Sequence, residues 1–549
     1  MDIAQKKLLV TNALPYANDS IHIGHLVGYI QADIWVRFQK LQGTDCLYVC
    51  ASDAHGTPIM LRAEKIGVDP EELANEYTQE HHRDFKDFLI NFDNYYTTHS
   101  KENQELIEEI FSKLVKNNRI EKQIIEQAFD DKEQMFLPDR YVRGQCPECG
   151  AEDQYGDSCE DCGSTYKPTD LINPISVISG NKPSQKESEH YFLKLKDSES
   201  MLKEWIQTID IHPSVKSKLN EWFTTGLKNW DISRDDPYFG FKIPGEDDKY
   251  FYVWLDAPMG YFASLKNLCA QKENSFDYQS YVDPNSENQL IHFIGKDIIY
   301  FHALFWPAVL DGAELKKPDG IYVNGFLTVN GKKMSKSRGT MIKVRTYLDH
   351  LNPEYLRYYY AYKLSGGMDD FDLDTNDFHD RVNSDLVGKC VNIASRCAKF
   401  INDDFNNQLS GKIADQELLS QFQQSSSSIA TMYQHREFGR AMRAIMSLAD
   451  QANRYLDKEK PWILAKDVAK KEQVQEICTM GLNLFRILMI YLKPVVPAIA
   501  RQAEAFLNID DQHWSDINQS LIDHQINSYE PLLTRLQKEN IDAMIDASK

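Results

Sequence analysis

The chain carries His22-Ile23-Gly24-His25 near its start and Lys333-Met334-Ser335-Lys336-Ser337 past its middle. Any fold that explains both must close them on one ligand. The first motif follows a strand-like run, Leu8-Leu9-Val10-Thr11, and a Pro/Asn/Asp/Ser turn ending at Ser20. It therefore falls at the opening of a helix, where free backbone N–H groups and the helix dipole favour phosphate. His22 and His25 are three apart and share a helix face, and Gly24 lets a flat base or sugar approach the backbone. The second motif is flanked by Gly331 and Gly339, and its two lysines can meet the β- and γ-phosphates as they leave the α-phosphorus. Alone, each has a bland reading: a helix start, a solvated basic loop. The pair in this order predicts nucleotidyl transfer from ATP.

The surrounding elements predict the scaffold. Over residues 1–115, short apolar runs at 8–11 and 46–51 alternate with amphipathic stretches at 26–41 and 70–88, the order of a parallel sheet with crossover helices. Strand-like character returns at 250–255 and 290–294, followed by a helical stretch at 298–310, and reads as the second half of that sheet. Between the halves, residues 138–185 turn to Cys, Gly, Pro, Asp and Ser, the texture of an inserted module. Cys146-x-x-Cys149 and Cys159-x-x-Cys162 give two turns with two thiolates each. That matches a tetrahedral zinc site with no open position, a staple rather than a reactive centre. Four free thiols is the alternative, and spacing alone does not separate zinc from an iron–sulfur cluster. From Arg381 onward the pattern is helical; Phe438, Met442, Ile445, Leu448, Ala452 and Tyr455 recur at spacings of three and four, which predicts a separate helical bundle.

Charge and cysteine usage narrow the function classes. A net charge of −21 argues against indiscriminate nucleic-acid binding. It leaves a specific RNA partner open, because a local cluster such as Lys332, Lys333, Lys336, Arg338, Lys343 and Arg345 can still hold phosphates. Cys46, Cys50, Cys269, Cys390, Cys397 and Cys478 lie in apolar or helical surroundings and read as small buried hydrophobes. Nothing at the N-terminus reads as a secretion signal, and the most apolar stretch, 487–500, is broken by Lys493, Pro494 and Pro497. The expectation is a soluble, cytoplasmic protein without a membrane span.

Further segments carry a resemblance. Ala13-Leu14-Pro15-Tyr16-Ala17-Asn18, Asp53-Ala54-His55-Gly56-Thr57-Pro58 and Trp230-Asp231-Ile232-Ser233-Arg234 stand beside Tyr252-Val253-Trp254-Leu255-Asp256-Ala257-Pro258 and Gly295-Lys296-Asp297. With the two ATP motifs, the whole chain resembles the class I aminoacyl-tRNA synthetases, and among them the bacterial methionyl-tRNA synthetase family. The resemblance implies an α/β fold: a Rossmann-type parallel-sheet catalytic domain with an inserted zinc-knuckle connective domain, a stem-contact region and a C-terminal all-α anticodon-binding bundle. Its expected boundaries are 1–115 and 231–325 for the catalytic halves, 116–230 for the insertion, 326–388 for the stem-contact region and 389–549 for the helical domain.

The same resemblance implies attack of the L-methionine carboxylate on the α-phosphorus of Mg2+-bound ATP, then transfer of the methionyl group to tRNA(Met), elongator and initiator. His22, His25, Lys333 and Lys336 would be catalytic, with Gly24, Lys296 and Asp297 also around ATP. Asp53 would meet the substrate ammonium, supported by Arg234. Ala13, Leu14, Tyr16, Trp254, Ala257, Pro258, Tyr261, Ile298 and His302 would line the thioether pocket, where aromatic walls suit a polarisable sulfur. Cys146, Cys149, Cys159 and Cys162 would hold one structural Zn2+. Asn392, Arg396, Pro461 and Trp462 would read the anticodon, Trp462 by stacking on a splayed base. The chain ends at Lys549 without the appended barrel that dimerises longer relatives, so a monomer is expected.

Three other readings stay in view. A synthetase for another aliphatic amino acid is disfavoured by the absence of a large editing insertion between the sheet halves. An RNA-binding protein on an inactive scaffold is disfavoured by intact His22, His25, Lys333 and Lys336. A small-molecule adenylylating enzyme would not need the helical domain.

Overall fold

The computed structural model describes residues 7–156, 159, 161–162, 164, 166–273, 275–334 and 340–549. The runs Leu8–Asn12 and Cys46–Ser52 are buried at every position, as expected of strands in a sheet covered on both faces. Six strands form it: β1 (Leu8–Asn12), β2 (Cys46–Ser52), β3 (Asn94–Thr97), β4 (Asp210–Ile211), β5 (Gln289–Gly295) and β6 (Gly320–Asn324). Their spatial order is β4-β6-β5-β1-β2-β3, and every pairing is parallel. The chain moves outward from β1 to β2 and β3 on one side, and from β5 to β6 on the other. Direction therefore reverses between β1 and β5, where Leu8 faces Gln289 and Asn12 faces Phe293. A crevice opens beyond the carboxyl ends of those two strands, the usual ligand position in such sheets.

Helix α1 (Leu26–Leu41) connects β1 to β2 and is buried nearly all round, Asp33 included. Asp33 is neutralised by Arg37 at 2.7 Å and by the fully buried Arg357 at 2.6 Å. Arg357 lies on α2 (Pro353–Lys363) and also donates to the Val495 carbonyl at 2.8 Å and the Pro494 carbonyl at 3.1 Å. The helix after the first ATP motif, the segment after the second and the C-terminal helical region thus meet on one guanidinium.

Between the sheet halves a long antiparallel ribbon, Ile120–Asp130 with Ser184–Leu193, leads to three short strands, Val142–Gln145, Gln154–Tyr155 and Ile172–Ser176, beside the four cysteines. Residues inside the expected insertion rejoin the sheet early, because Asp210–Ile211 pairs with Gly320 and Ile321 as its edge strand. Two residues are too few to show an alternation. The run at 250–255 is not a strand of this sheet. Lys249–Phe251 pairs with Ser233–Asp235, and Val253–Asp256 is a helical turn; a short apolar run does not by itself separate strand from helix. The stretch at 298–310 is helical but broken, with a π-helical turn at Phe301–Phe305 before Trp306–Gly312.

In the C-terminal region α3 (Asn392–Asp404), α4 (Phe438–Glu459) and α5 (Lys471–Leu492) pack together. The stripe from Phe438 to Tyr455 is buried at every expected position. One apolar core runs continuously from Val10 and Ile30 under the sheet to Met544, so the helical region is seated on the α1 face. The six cysteines outside the quartet are all buried, and none forms a disulfide among the described residues. No helix among the described residues is long and apolar enough to cross a membrane.

Candidate active site

The crevice is a cavity of about 790 Å3, within the range of small-molecule sites. At one end stands the first ATP motif. No side chain caps the start of α1; the histidines bond locally instead. Gly24 N–H donates to His22 Nδ1 at 3.1 Å, His22 N–H donates to His25 Nδ1 at 3.2 Å, and the rings stack with centroids 3.7 Å apart. Crowding by surrounding protein pushes His22 down to about 4 and takes His25 well below the usual imidazole range, although the His25 ring opens to the crevice. Neutral imidazoles that accept at Nδ1 carry their proton at Nε2. The motif therefore offers two N–H donors and no net charge.

The second motif is stitched onto the first. Lys332–Lys333 pairs with Leu327–Val329, and a Cβ built on Gly24 would lie 2.1 Å from Met334 Cε. Farther on, the Ile342 carbonyl accepts from Ile23 N–H at 3.0 Å, and Val344 N–H donates to the Ile21 carbonyl at 3.1 Å. Lys333 and Asp297 line the cavity with His22, Gly24 and His25. Lys296 stands at the rim, 2.6 Å from Asp370 and 4.6 Å above the Phe326 ring. Lys336 lies outside the described residues.

The residues expected around methionine all line this same cavity: Ala13, Leu14, Tyr16, Asp53, Arg234, Trp254, Ala257, Pro258, Tyr261, Ile298 and His302. Asp53 follows β2, and its Oδ1 is buried with no hydrogen-bond partner among the described residues. Burial, with the negative Asp256 nearby, raises its carboxyl well above the usual carboxylate range. Such an atom is costly unless a ligand pairs it, and an ammonium is its complement. Arg234 lies 3.7 Å above the Tyr252 ring and 3.3 Å from Asp231. Trp254 stacks on Phe301 at 3.6 Å. His302 Nδ1 donates to the Ile298 carbonyl at 3.1 Å, and burial lowers the ring to about 4. Its bare Nε2 then accepts the Tyr261 hydroxyl at 2.7 Å. The wall formed by Trp254, Tyr261 and His302 is uncharged and aromatic, and the Tyr261 and His302 donors are already committed.

A third side carries little sequence signal. Asn12 Nδ2 donates to the Gly28 carbonyl at 3.0 Å. A Cβ on Gly28 would lie 2.8 Å from Asn324 Oδ1, which is itself buried without a partner among the described residues. Gly28 stands one helical turn after Gly24, so a bare stripe on α1 was readable from spacing. Asn12 and Asn324 meet only because β1 and β6 flank β5. Asp139, Tyr238 and Tyr252 also line the cavity and were not foreseen.

Away from the cavity, the Cys146, Cys149, Cys159 and Cys162 sulfurs all lie within 4.8 Å of one another, with Cys146–Cys162 at 3.9 Å and Cys149–Cys159 at 3.5 Å. Thiolates about 2.3 Å from a tetrahedral ion stand ~3.8 Å apart, so the quartet fits a metal ion. On α3, Asn392 and Arg396 share a face. The Arg396 guanidinium lies 4.6 Å above the Trp462 ring and bonds Asp457 at 2.5 Å and Asn453 at 3.3 Å. Pro461 opens the short helix Pro461–Leu464 and is buried, while Trp462 is exposed.

Comparison with known proteins agrees with this geometry. Residues 8–398 match the family described as tRNA synthetases class I (M), and residues 409–539 match the anticodon binding domain of methionyl tRNA ligase. The methionine–tRNA ligase of Francisella tularensis subsp. tularensis is 55% identical over 546 residues, covering 99% of this chain and 81% of that protein; its counterpart in subsp. holarctica gives the same figures. Among solved structures, Mycobacterium tuberculosis methionyl-tRNA synthetase in complex with methionyl-adenylate superposes with a TM-score of 0.80 at 21% identity, over 96% of this chain and 100% of that one. At that identity the likeness speaks to the fold. The chain belongs to the class I aminoacyl-tRNA synthetases. Within that class it is a member of the methionyl-tRNA synthetase family, the methionine–tRNA ligases.

Proposed function

We propose that this one cavity performs both steps of joining methionine to its tRNA at the expense of ATP. The observation that carries the assignment of roles is the pairing of its two ends. One end offers neutral N–H donors and a lysine, and the other an unpartnered carboxylate oxygen beside an aromatic wall. Asp53 takes the methionine ammonium, and Arg234 supplies the fixed positive charge facing the substrate carboxyl group. Ala13, Leu14, Tyr16, Trp254, Ala257, Pro258, Tyr261, Ile298 and His302 enclose the thioether. A methionine carboxylate oxygen forms the bond to the α-phosphorus of Mg2+-ATP as the bond to pyrophosphate breaks. His22 and His25 through Nε2–H, with Lys333 and Lys336, meet the charge that gathers on the leaving phosphates; Gly24, Lys296 and Asp297 complete the ATP site. Asn12, Gly28 and Asn324 form a flat cradle suited to the adenosine. A ribose hydroxyl at the tRNA terminus then attacks the activated carbonyl and AMP departs. Positioning and charge neutralisation suffice, and no side-chain nucleophile takes part.

At the periphery, Cys146, Cys149, Cys159 and Cys162 would hold one Zn2+ that staples the inserted module. Asn392, Arg396, Pro461 and Trp462 would receive the anticodon loop of both elongator and initiator tRNA(Met), in the cytoplasm. The division into 1–115, 116–230, 231–325, 326–388 and 389–549 accompanies this reading. Pyrophosphate exchange into ATP, run with each of the twenty amino acids, tests it. Methionine should stimulate strongly, and stimulation by leucine in its place would overturn the assignment.

A further inference from the structure

Behind Arg234, the inserted ribbon and the segment returning from it meet in a row of alternating charges. His190, on the ribbon strand Ser184–Leu193, is 1% exposed. Its Nδ1 stands 2.8 Å from Asp231 and its Nε2 2.9 Å from Asp235. Asp231 in turn reaches Arg234 at 3.3 Å. On the far side Asp235 is held by Lys249, by the Ser188 hydroxyl at 3.0 Å and by Gln127 Nε2 at 2.9 Å. Gln127 comes from the facing ribbon strand Ile120–Asp130 and also touches His190. A ring whose two nitrogens both face carboxylates is held best as imidazolium. Burial alone would depress it, yet the hydrogen bonds and charges of Asp231 and Asp235 outweigh burial and raise it. The row thus reads Arg234, Asp231, His190, Asp235, Lys249, with alternating sign.

Only the first member of the row lines the cavity. Arg234 is pinned through Nη1 to the Ser233 carbonyl at 2.6 Å and lies over Tyr252; among the described residues Asp231 makes its ion pair, while the Asp139 charge acts on it from farther off. A carboxylate that is itself fixed can hold a guanidinium without capturing it. One left with no second cation draws the guanidinium towards itself and away from the substrate.

We propose that His190 is a positioning residue: by bridging Asp231 and Asp235 it fixes the carboxylate that orients Arg234, and so sets Arg234 for the carboxyl group of the bound amino acid. This rests on the placing of Arg234 at the amino-acid end of the cavity. It also ties the base of the metal-stapled insertion to methionine binding, since His190 and Gln127 both come from the ribbon.

The test uses the full chain and methionine-dependent pyrophosphate exchange across neutral and alkaline pH. His190→Gln should raise KM for methionine on the order of tenfold and leave KM for ATP unchanged. In the parent protein KM for methionine should climb at alkaline pH as His190 loses its proton, and this climb should be missing in His190→Gln. Asp235→Asn, which removes one supporting charge, should move the climb to lower pH. Combined with Asp231→Asn, His190→Gln should add nothing further. The proposal is overturned if His190→Gln, with an unchanged melting curve, keeps the parent KM and pH profile. Equal rises in both KM values or additive effects in the double variant would overturn it too. Arg234→Gln separates the two readings. If it raises KM for methionine while His190→Gln does not, only this inference fails; if Arg234→Gln leaves KM unchanged, the placing of Arg234 fails.

Discussion

Replacing His22 by alanine should slow methionine activation far more than it disturbs the fold. When pyrophosphate leaves, negative charge grows on its oxygens. Losing one preorganised donor aimed at such charge costs about 2.7–4 kcal/mol, or roughly 10²–10³ in kcat. His22 should count at that full value, because its ring is held neutral and its Nδ1 is tied to Gly24 N–H at 3.1 Å. Its Nε2–H is thus aimed before ATP arrives. The structural losses are smaller: one backbone bond, about 1 kcal/mol, and the stack on His25, about 0.5–1.5 kcal/mol. The motif stays stitched through Ile23 to Ile342. Single-turnover adenylate formation and pyrophosphate exchange would read the rate, and a melting curve the fold. His22→Gln should recover part of the activity, since its amide N–H reaches the Nε2 position. His22→Asn, which restores only the acceptor for Gly24, should recover none. A loss in kcat below about threefold, or equal rescue by asparagine, would refute the reasoning.

Other outcomes follow from the same structure. Asp53 holds its proton to higher pH than an ordinary aspartate, and a methionine ammonium beside it favours the ionised form. Methionine binding should therefore release protons in the window between the usual carboxylate value and the raised one, with KM falling as pH rises through the latter. Calorimetry in two buffers reads that release, and Asp53→Asn should abolish it. Trp462→Ala should weaken tRNA binding by about 1–3 kcal/mol while leaving pyrophosphate exchange intact; a matching loss of exchange would argue against an anticodon role. Arg357→Met leaves buried Asp33 with Arg37 and should cost about 3–5 kcal/mol, seen as an earlier denaturation midpoint, with Asp33→Asn restoring much of it. A strong chelator should remove one metal ion per chain and raise proteolysis within 138–185, while the sheet's far-ultraviolet signature holds.

Much of this was legible in the sequence because it was local. The strand–turn–helix at residues 8–41 has its own period, turn residues and start signal, and the helix begins immediately after His25. The cysteine spacing encodes a geometry that the sulfurs then adopt. What stayed hidden was set by tertiary pairing. β4 is two residues long and exists because Gly320 and Ile321 offer it an edge. Asn12 and Asn324 become neighbours of Gly28 only through the strand order. The run at 250–255 misleads because Trp254 and Leu255 are apolar for different reasons: Leu255 is buried in the core, and Trp254 walls the cavity. Periodicity records burial and does not say against what.

The electrostatics of the site also bear on how a chain of net charge −21 handles a triphosphate. A pocket crowded with fixed cations would hold ATP tightly in the ground state. Binding of that kind lowers KM without raising kcat. At the first motif the structure offers two neutral donors. The nearby lysine, Lys333, belongs to a two-residue strand paired along Leu327–Val329, and its carbonyl accepts from the Thr340 hydroxyl at 3.0 Å. Lys296 is already paired with Asp370. Positive charge is therefore concentrated beside the second motif, where it can follow the departing phosphates. On the proposed assignment, the directional N–H groups of the first motif are aimed at the same leaving phosphates. Both then strengthen as the bond breaks, the lysine through its charge and the N–H groups through their fixed direction. On this division, adding a cation at the first motif should tighten ATP binding and leave the chemical step no faster.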